Sequence, residues 1–332
     1  MRQWWGISTV FALCVIACPV PGTAADSPAA GQADDFHFIP GTFNTSVGPD
    51  GNTAIFMAPL GLVVIDTGRH PAHAQAILDY AASTGLPIIA VVNTHWHFDH
   101  TTGNLDMKAA YPDVQVYATP AIDGALQGFL AEPIVASRQQ LSDPSIDEDT
   151  RERESRFLAA VDQGVVEPDI PVETTTFLPV NGRDLEMNVT HYAVSESDIW
   201  IWDPSTRTVF AGDLVTLPAP LFDTGCVPGW VEALDEIARK PLERVVPGHG
   251  YIMTPQEFGL YHRAFDNLVA CAAESSGSDC AKVWLADAGP LLDKAAGEDF
   301  ADPDYAQRAV TYYVDKVIRS PEKQAQECAG SE

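Results

Sequence analysis

The chain has 332 residues, long enough for one large domain with a sizeable core or for two small ones. Its 46 acidic against 19 basic side chains give a formal charge of −27 at pH 7, which repels phosphate backbones and anionic membrane surfaces. The charge argues against nucleic-acid binding, and the composition favours one globular body.

Met1-Arg2, an apolar stretch from Trp4 to Val20 and then PGTAAD follow the basic, apolar and small-residue order of a secretory leader. Cleavage is expected near Ala25, so residues 1–25 are set apart as a signal peptide. A second route is open: Val15-Ile16-Ala17-Cys18 looks like the lipobox at which bacterial lipoproteins are cut, which would leave a lipid anchor at Cys18. As a membrane span the stretch is short and interrupted by Pro19 and Pro21. The mature protein is expected to be soluble, in the periplasm or secreted. Beyond the leader remain Cys226, Cys271, Cys280 and Cys328, an even set that in an exported chain suggests disulfides. Cys271 and Cys280 bracket the turn-like AAESSGSD, so that pair is expected, leaving Cys226 with Cys328.

After a polar linker over residues 26–35, short apolar runs alternate with helical patterns. Thr53–Ala58 and Gly61–Ile65 read as a hairpin across Pro59-Leu60. Pro71 to Ser83 reads as a helix opened by its proline, followed by a strand Pro87–Val92, a helix Gly103–Ala110 and a strand Val114–Ala118. Residues 119–173 form a charged insertion whose SIDEDTRERESRFLAA reads as a helix with a solvated face. Strands resume at Asp184–Thr190, Asp198–Trp202, Thr208–Ala211 and Arg244–Val246, with a helix Trp230–Arg239 between the last two. Helical patterns over Pro255–Ala273, Cys280–Ala295 and Pro303–Ile318 end the chain. Strand–helix alternation after a β-rich start predicts an α/β fold, its sheet covered by helices.

The stretch NTHWHFDHTTGN gathers His95, His97, Asp99 and His100 directly after the strand PIIAVV. Alternate positions on extended backbone point the same way, so His95 and His97 can face one point beyond the strand end, while Asp99 and His100 follow the turn toward another. Imidazoles with a carboxylate suit zinc. Later strand ends carry His191, Asp213 in TVFAGD and His249 in RVVPGHG.

On these motifs, from about Phe36 to His262, the chain resembles the metallo-β-lactamase superfamily, with its H-x-H-x-D-H loop, later histidine, G-D aspartate and final G-H histidine. The resemblance implies an αββα sandwich over residues 36–275, with 276–332 as a helical C-terminal extension. It further implies two Zn2+ ions per chain. His95, His97 and His191 would hold the first, Asp99, His100 and His249 the second, and Asp213 would bridge. Asp66 in VVIDTG becomes a hydrogen-bonding partner of a ligand, with an ordinary turn aspartate as the alternative. A metal-bound hydroxide is the implied nucleophile, with Asp99 its catalytic acceptor, because water on zinc loses its proton near a pKa of about 7.

Two departures narrow the substrate. Lactamases proper usually carry Cys or Ser where this chain has Asp213, so the bridging aspartate looks more like the lactonase, glyoxalase II and broader hydrolase branches, and β-lactamase activity is not favoured. Where many relatives read H-T-x-G-H-[ST]-x-G, this chain reads His191-Tyr192-Ala193-Val194-Ser195-Glu196-Ser197-Asp198, so the loop beside the first zinc is expected to differ, which argues against the usual glyoxalase II assignment. Trp96 and Phe98 alternate with the expected ligand positions of the loop, and LPAPLFDTGCVPGW leaves from Asp213, so Trp96, Phe98, Phe222 and Trp230 are the expected pocket walls. The leading expectation is an exported dinuclear zinc hydrolase acting on a small lactone, ester, thioester or cyclic amide. The alternatives are a non-haem iron oxidoreductase of the persulfide dioxygenase type and a metal-stabilised binding module without enzymatic activity.

Overall fold

The computed structural model describes residues 36–44, 48–179, 182 and 184–329; the leader, Cys18 and the linker lie outside the described residues. The first sheet begins with β1 (His37–Ile39), after which a small hairpin, β2 (Phe43–Asn44) and β3 (Gly48–Pro49), leads into β4 (Thr53–Ala58) and β5 (Gly61–Ile65). Helix α1 (Pro71–Thr84) has proline in its first turn and ends on left-handed Gly85, the two residues that suit those positions. Then follow β6 (Ile88–Val92), α2 (Phe98–Thr101), α3 (Asn104–Ala110) and β7 (Gln115–Ala118). The insertion contributes α4 (Ala121–Gln127), α5 (Ala131–Leu141) and α6 (Glu148–Asp162), and returns through β8 (Ile170–Pro171).

The second sheet comprises β9 (Thr176–Phe177), β10 (Glu186–His191), β11 (Ser197–Asp203), β12 (Thr208–Thr216) and, after α7 (Val227–Ala238), β13 (Arg244–His249). Helices α8 (Pro255–Glu274), α9 (Gly277–Lys294), α10 (Pro303–Tyr313) and α11 (Pro321–Glu327) complete the chain. Strand order is β1-β4-β5-β6-β7-β8 in one sheet and β13-β12-β11-β10-β9 in the other. The first is parallel from β5 to β8, and the second is antiparallel except for the β12–β13 pair.

Alternation along the strands builds the layers. Phe56, Val63, Ile65, Ala90 and Val92 face Met187, Ile199, Ile201, Phe210 and Val246 between the sheets. Their neighbours Ile55, Leu62, Val64 and Val91 point the other way, onto Ala74, Ile77 and Ala81 of α1 and Met107 of α3. On the far side Trp200, Trp202, Val209 and Ala211 carry α7, α8, α9 and α10. The result is the expected αββα sandwich.

The C-terminal helices share that outer core, and residues Asp35–Glu332 form one compact unit. Trp284, Leu291, Tyr313 and Val314 of the segment expected as an extension pack in that outer core. The insertion also differs from a merely solvated face, because Ala121, Ile122, Leu130, Ala160 and Val165 pack on Trp96 and Phe98. Both disulfides pair as expected, Cys271 with Cys280 and Cys226 with Cys328. No helix among the described residues is long and apolar enough to cross a membrane.

Candidate metal centre

Four chain segments meet at one end of the sandwich. Beyond β6, Asn93 to His97 cross the strand ends and α2 begins at once, anchored by Asn93 N–H donating to Tyr117 O at 2.9 Å and by Asn104 Nδ2 donating to Asn93 Oδ1 at 2.8 Å. In the second sheet the β12–β13 register slips around Gly212, a bulge that re-aims the following Asp213. β13 ends at His249 beside it. Two glycines permit the approach: a Cβ on Gly248 would stand 2.0 Å from Asp213 Oδ1, and one on Gly51 would stand 2.3 Å from the His100 ring.

Four donor atoms converge there. His100 Nε2 lies 3.1 Å from Asp213 Oδ1, 3.3 Å from His249 Nε2 and 3.9 Å from Asp99 Oδ2. His249 Nε2 lies 3.1 Å from Asp99 Oδ2 and 3.5 Å from Asp213 Oδ1. A tetrahedral zinc with arms of about 2.0–2.1 Å separates its ligand atoms by about 3.3–3.4 Å, so these five separations straddle the span such an ion requires. His95, His97 and Asp213 form a second set, with donor atoms within 4.8 Å of one another. Its His95 Nε2 stands 3.8 Å from Asp213 Oδ2. The two oxygens of Asp213 thus face different sets.

Hydrogen bonds decide which ring nitrogens are free. Thr94 Oγ1 gives its one proton to Asp66 Oδ2 at 2.8 Å, so at 3.0 Å it accepts from His95 Nδ1, leaving His95 Nε2 as the lone pair. Thr224 Oγ1 likewise donates to Val194 O at 2.8 Å and accepts from His97 Nε2 at 2.9 Å, leaving His97 Nδ1. His100 Nδ1 bonds Asp66 Oδ2 at 2.8 Å, which aims Nε2 at the cluster. Asp66, held at a left-handed φ of 55°, also accepts from Thr94 N–H at 2.8 Å. His95 Nε2 and Asp213 Oδ1 are buried with no hydrogen-bond partner, the condition of atoms that suit an ion.

The electrostatics agree. Burial opposes charge on His100, yet the carboxylates of Asp213, Asp66 and Asp99 hold its imidazole well above the ordinary pKa. Burial likewise opposes ionisation of Asp99, but His100, the bond from His249 and Arg69 hold its carboxyl well below the usual range. Burial, with His100 and His97 nearby, keeps His95 neutral by pushing its pKa well down. The cluster demands positive charge. A proton on His100 meets that demand in part; a divalent cation meets it in full.

The structure does not bring every predicted residue to the cluster. His191 is exposed at the end of β10 and belongs to neither donor set. Beyond it Tyr192 turns left-handed at φ 54°, and the loop closes on itself: Asp198 accepts from Val194 N–H at 3.0 Å and from Ser195 Oγ at 2.7 Å. That closure fastens the loop that follows His191, and His191 itself stands apart from both donor sets. Trp96 and Phe98 line a cavity of about 650 Å³ that opens beside His97, Asp99 and Asp213. Phe222 and Trp230 do not. Both are fully buried in the helical core, where Trp230 Nε1 donates to Leu214 O at 3.0 Å. Their loop reaches the cavity through Leu221 and Asp223 instead, a neighbouring-residue difference that apolar composition alone does not reveal. Arg69, Phe157 and Tyr305 complete the walls without having been singled out in the sequence.

The sequence model described as the Metallo-beta-lactamase superfamily matches residues 47–249. A hydroxyacylglutathione hydrolase of Gloeobacter violaceus is 39% identical over 62 residues, which cover 19% of this chain and 25% of that protein. A linear primary-alkylsulfatase of Pseudomonas sp. is 25% identical over 220 residues, covering 60% of this chain and 41% of that protein. The chain thus spans well under two thirds of either curated relative. A solved β-lactamase domain protein from Burkholderia ambifaria superposes with a TM-score of 0.54 at 17% identity, covering 77% of this chain and 84% of that one, a likeness of fold.

Proposed function

The chain belongs to the metallo-beta-lactamase superfamily, and from that premise we propose that it is an exported metal-dependent hydrolase. Its centre is His95, His97, Asp99, His100, Asp213 and His249, with two divalent ions, zinc foremost, as cofactor. The observation that carries the reading is the set of donor separations around His100 Nε2 and His249 Nε2, 3.1–3.9 Å, in a site where His95, His97 and His100 each bond outward through their other ring nitrogen. When bound, such ions supply Lewis-acid activation of a water and of the scissile group.

The chain's own residues do the rest. Thr94, Thr224 and Asp66 hold the imidazoles in the tautomers that present lone pairs. Asp99 lines the cavity as well as the cluster, so its carboxylate can accept a proton or hydrogen bond from an attacking water. Arg69 Nη2, 3.7 Å from Asp99 Oδ1, restrains that carboxylate. Trp96, Phe98, Phe129 and Phe157 offer an apolar wall for the substrate body.

The substrate class is a small lactone, ester, thioester or cyclic amide. The relatives' names add hydroxyacylglutathione and alkyl sulfates to the compounds to be tried. Export is supported by the leader-like N-terminus and by two disulfides, which persist in oxidising compartments. The test is metal analysis of protein purified without chelators, followed by assay of that substrate panel before and after metal removal. Hydrolysis lost on chelation and restored by zinc is expected. Metal-loaded protein inert toward the whole panel would sink the hydrolase reading.

A further inference from the structure

We infer that the two metal positions are unequal: Asp99, His100, Asp213 and His249 hold a resident ion, whereas His95, His97 and Asp213 hold an exchangeable one. The inference rests on the metal-centre reading above and deepens it.

The first argument is donor count. One set supplies four protein atoms with near-tetrahedral separations. The other supplies three, one of them from a carboxylate that both sets share. His191, the histidine whose position in the chain suggests a further donor, is exposed, and the loop after it is fastened by Asp198 to Val194 and Ser195. No described His, Cys, Asp or Glu takes its place within the donor set.

The second argument is charge. Two carboxylates belong to the four-donor set, enough to neutralise a divalent ion, and the three-donor set has only the shared Asp213. An ion there keeps more net charge and more open positions. The third is access. His97 lines the cavity, while His100 and His249 are buried and absent from its walls, so an ion in the three-donor set exchanges with solvent more directly. A substrate entering the cavity meets that side with a position open.

The experiment is stepwise zinc titration of the full mature chain against a chromophoric chelator, with metal counted by mass spectrometry after gel filtration. The first equivalent is expected to bind at least tenfold more tightly than the second, and to remain after gel filtration when the second is lost. His97→Ala should remove the weak equivalent alone, His249→Ala the tight one, and His191→Ala neither. Cobalt substitution adds a readout independent of activity: the first equivalent should give the absorption of a four-coordinate nitrogen and oxygen site. Two equivalents of equal affinity, or loss of an ion in His191→Ala, would overturn the inference while leaving the hydrolase reading in place. Protein that binds no ion at all would remove both.

Discussion

Asp66 lies outside both donor sets and governs them. Its carboxylate receives Thr94 N–H, Thr94 Oγ1 and His100 Nδ1, each at 2.8 Å, and Thr94 passes the constraint on to His95. Asp66→Asn would keep the shape but present an amide to His100 Nδ1 and weaken the orientation of both imidazoles. Metal affinity should fall roughly 10- to 100-fold with an unchanged circular dichroism spectrum; unchanged affinity would make Asp66 an ordinary turn residue. Asp50 gives the pH counterpart. Burial opposes its ionisation, but the His70 side-chain bond, the nearby His73 and the His70 backbone N–H lower its pKa from 3.8 to about 2. A carboxyl with a depressed folded pKa adds stability above the unfolded value and loses it as pH falls through the folded one. Asp50→Asn should therefore cost about 2 kcal/mol near neutrality, and the gap to wild type should close between pH 4 and pH 2 in chemical denaturation. At this scale the sequence was legible where residue type and order sufficed, as for the three histidines and the one aspartate of THWHFDH. It was not legible where side-chain direction decided: His191 ends a strand facing solvent, and Leu221 and Asp223, not Phe222, reach the cavity.

Elements were readable where local chemistry sets their limits. The hairpin of β4 and β5 falls at its expected residues, and α8 begins at Thr254-Pro255 with a complete capping box to Glu257. The two-residue strands β8 and β9 were not readable, because neither carries a period and both exist through pairing with β7 and β10. The extension of β12 to Thr216, past Asp213, likewise depends on its partner β13. Pairing also governs the C-terminal helices. Cys328 follows α11 and is bonded to Cys226, the residue before α7 and two beyond the Thr224 that orients His97. The closed segment spans 102 positions, so Cys328→Ser should cost about 2–5 kcal/mol through the unfolded state. Thermal unfolding with and without reductant checks this. A melting temperature equal to wild type in oxidising buffer would show that α11 is held by packing alone.

Over the whole molecule, the acidic insertion and the C-terminal helices both contribute walls to the cavity. From the insertion come Phe129, Phe157 and the charged residues of α6; from the C-terminal layer come Tyr305 and Tyr313. Sequence patterning could not show this, since an acidic helix with a weak apolar face looks alike whether it faces water or the rim of a site. The insertion is pinned by Arg156 Nη2 to Asp106 Oδ2 at 2.6 Å, and the Phe157 ring stacks edgewise on Phe98 at 4.6 Å. Phe98 immediately precedes Asp99, so the Phe157 contact lies at the cavity wall, one among several by which the insertion packs on the metal loop. Phe157→Ala removes apolar surface from the substrate side and leaves every donor atom in place. Binding of substrates with a large apolar body should weaken about tenfold, the size expected from a lost hydrophobic pocket contact. Metal content should stay at the wild-type level, and the turnover number should change little, since the contact is made equally in ground and transition states. The measurement is kcat and KM for a homologous ester series of increasing acyl length. A uniform fall in kcat across the series, or loss of metal, would mean that α6 acts by positioning the Asp99 loop and not by shaping the pocket.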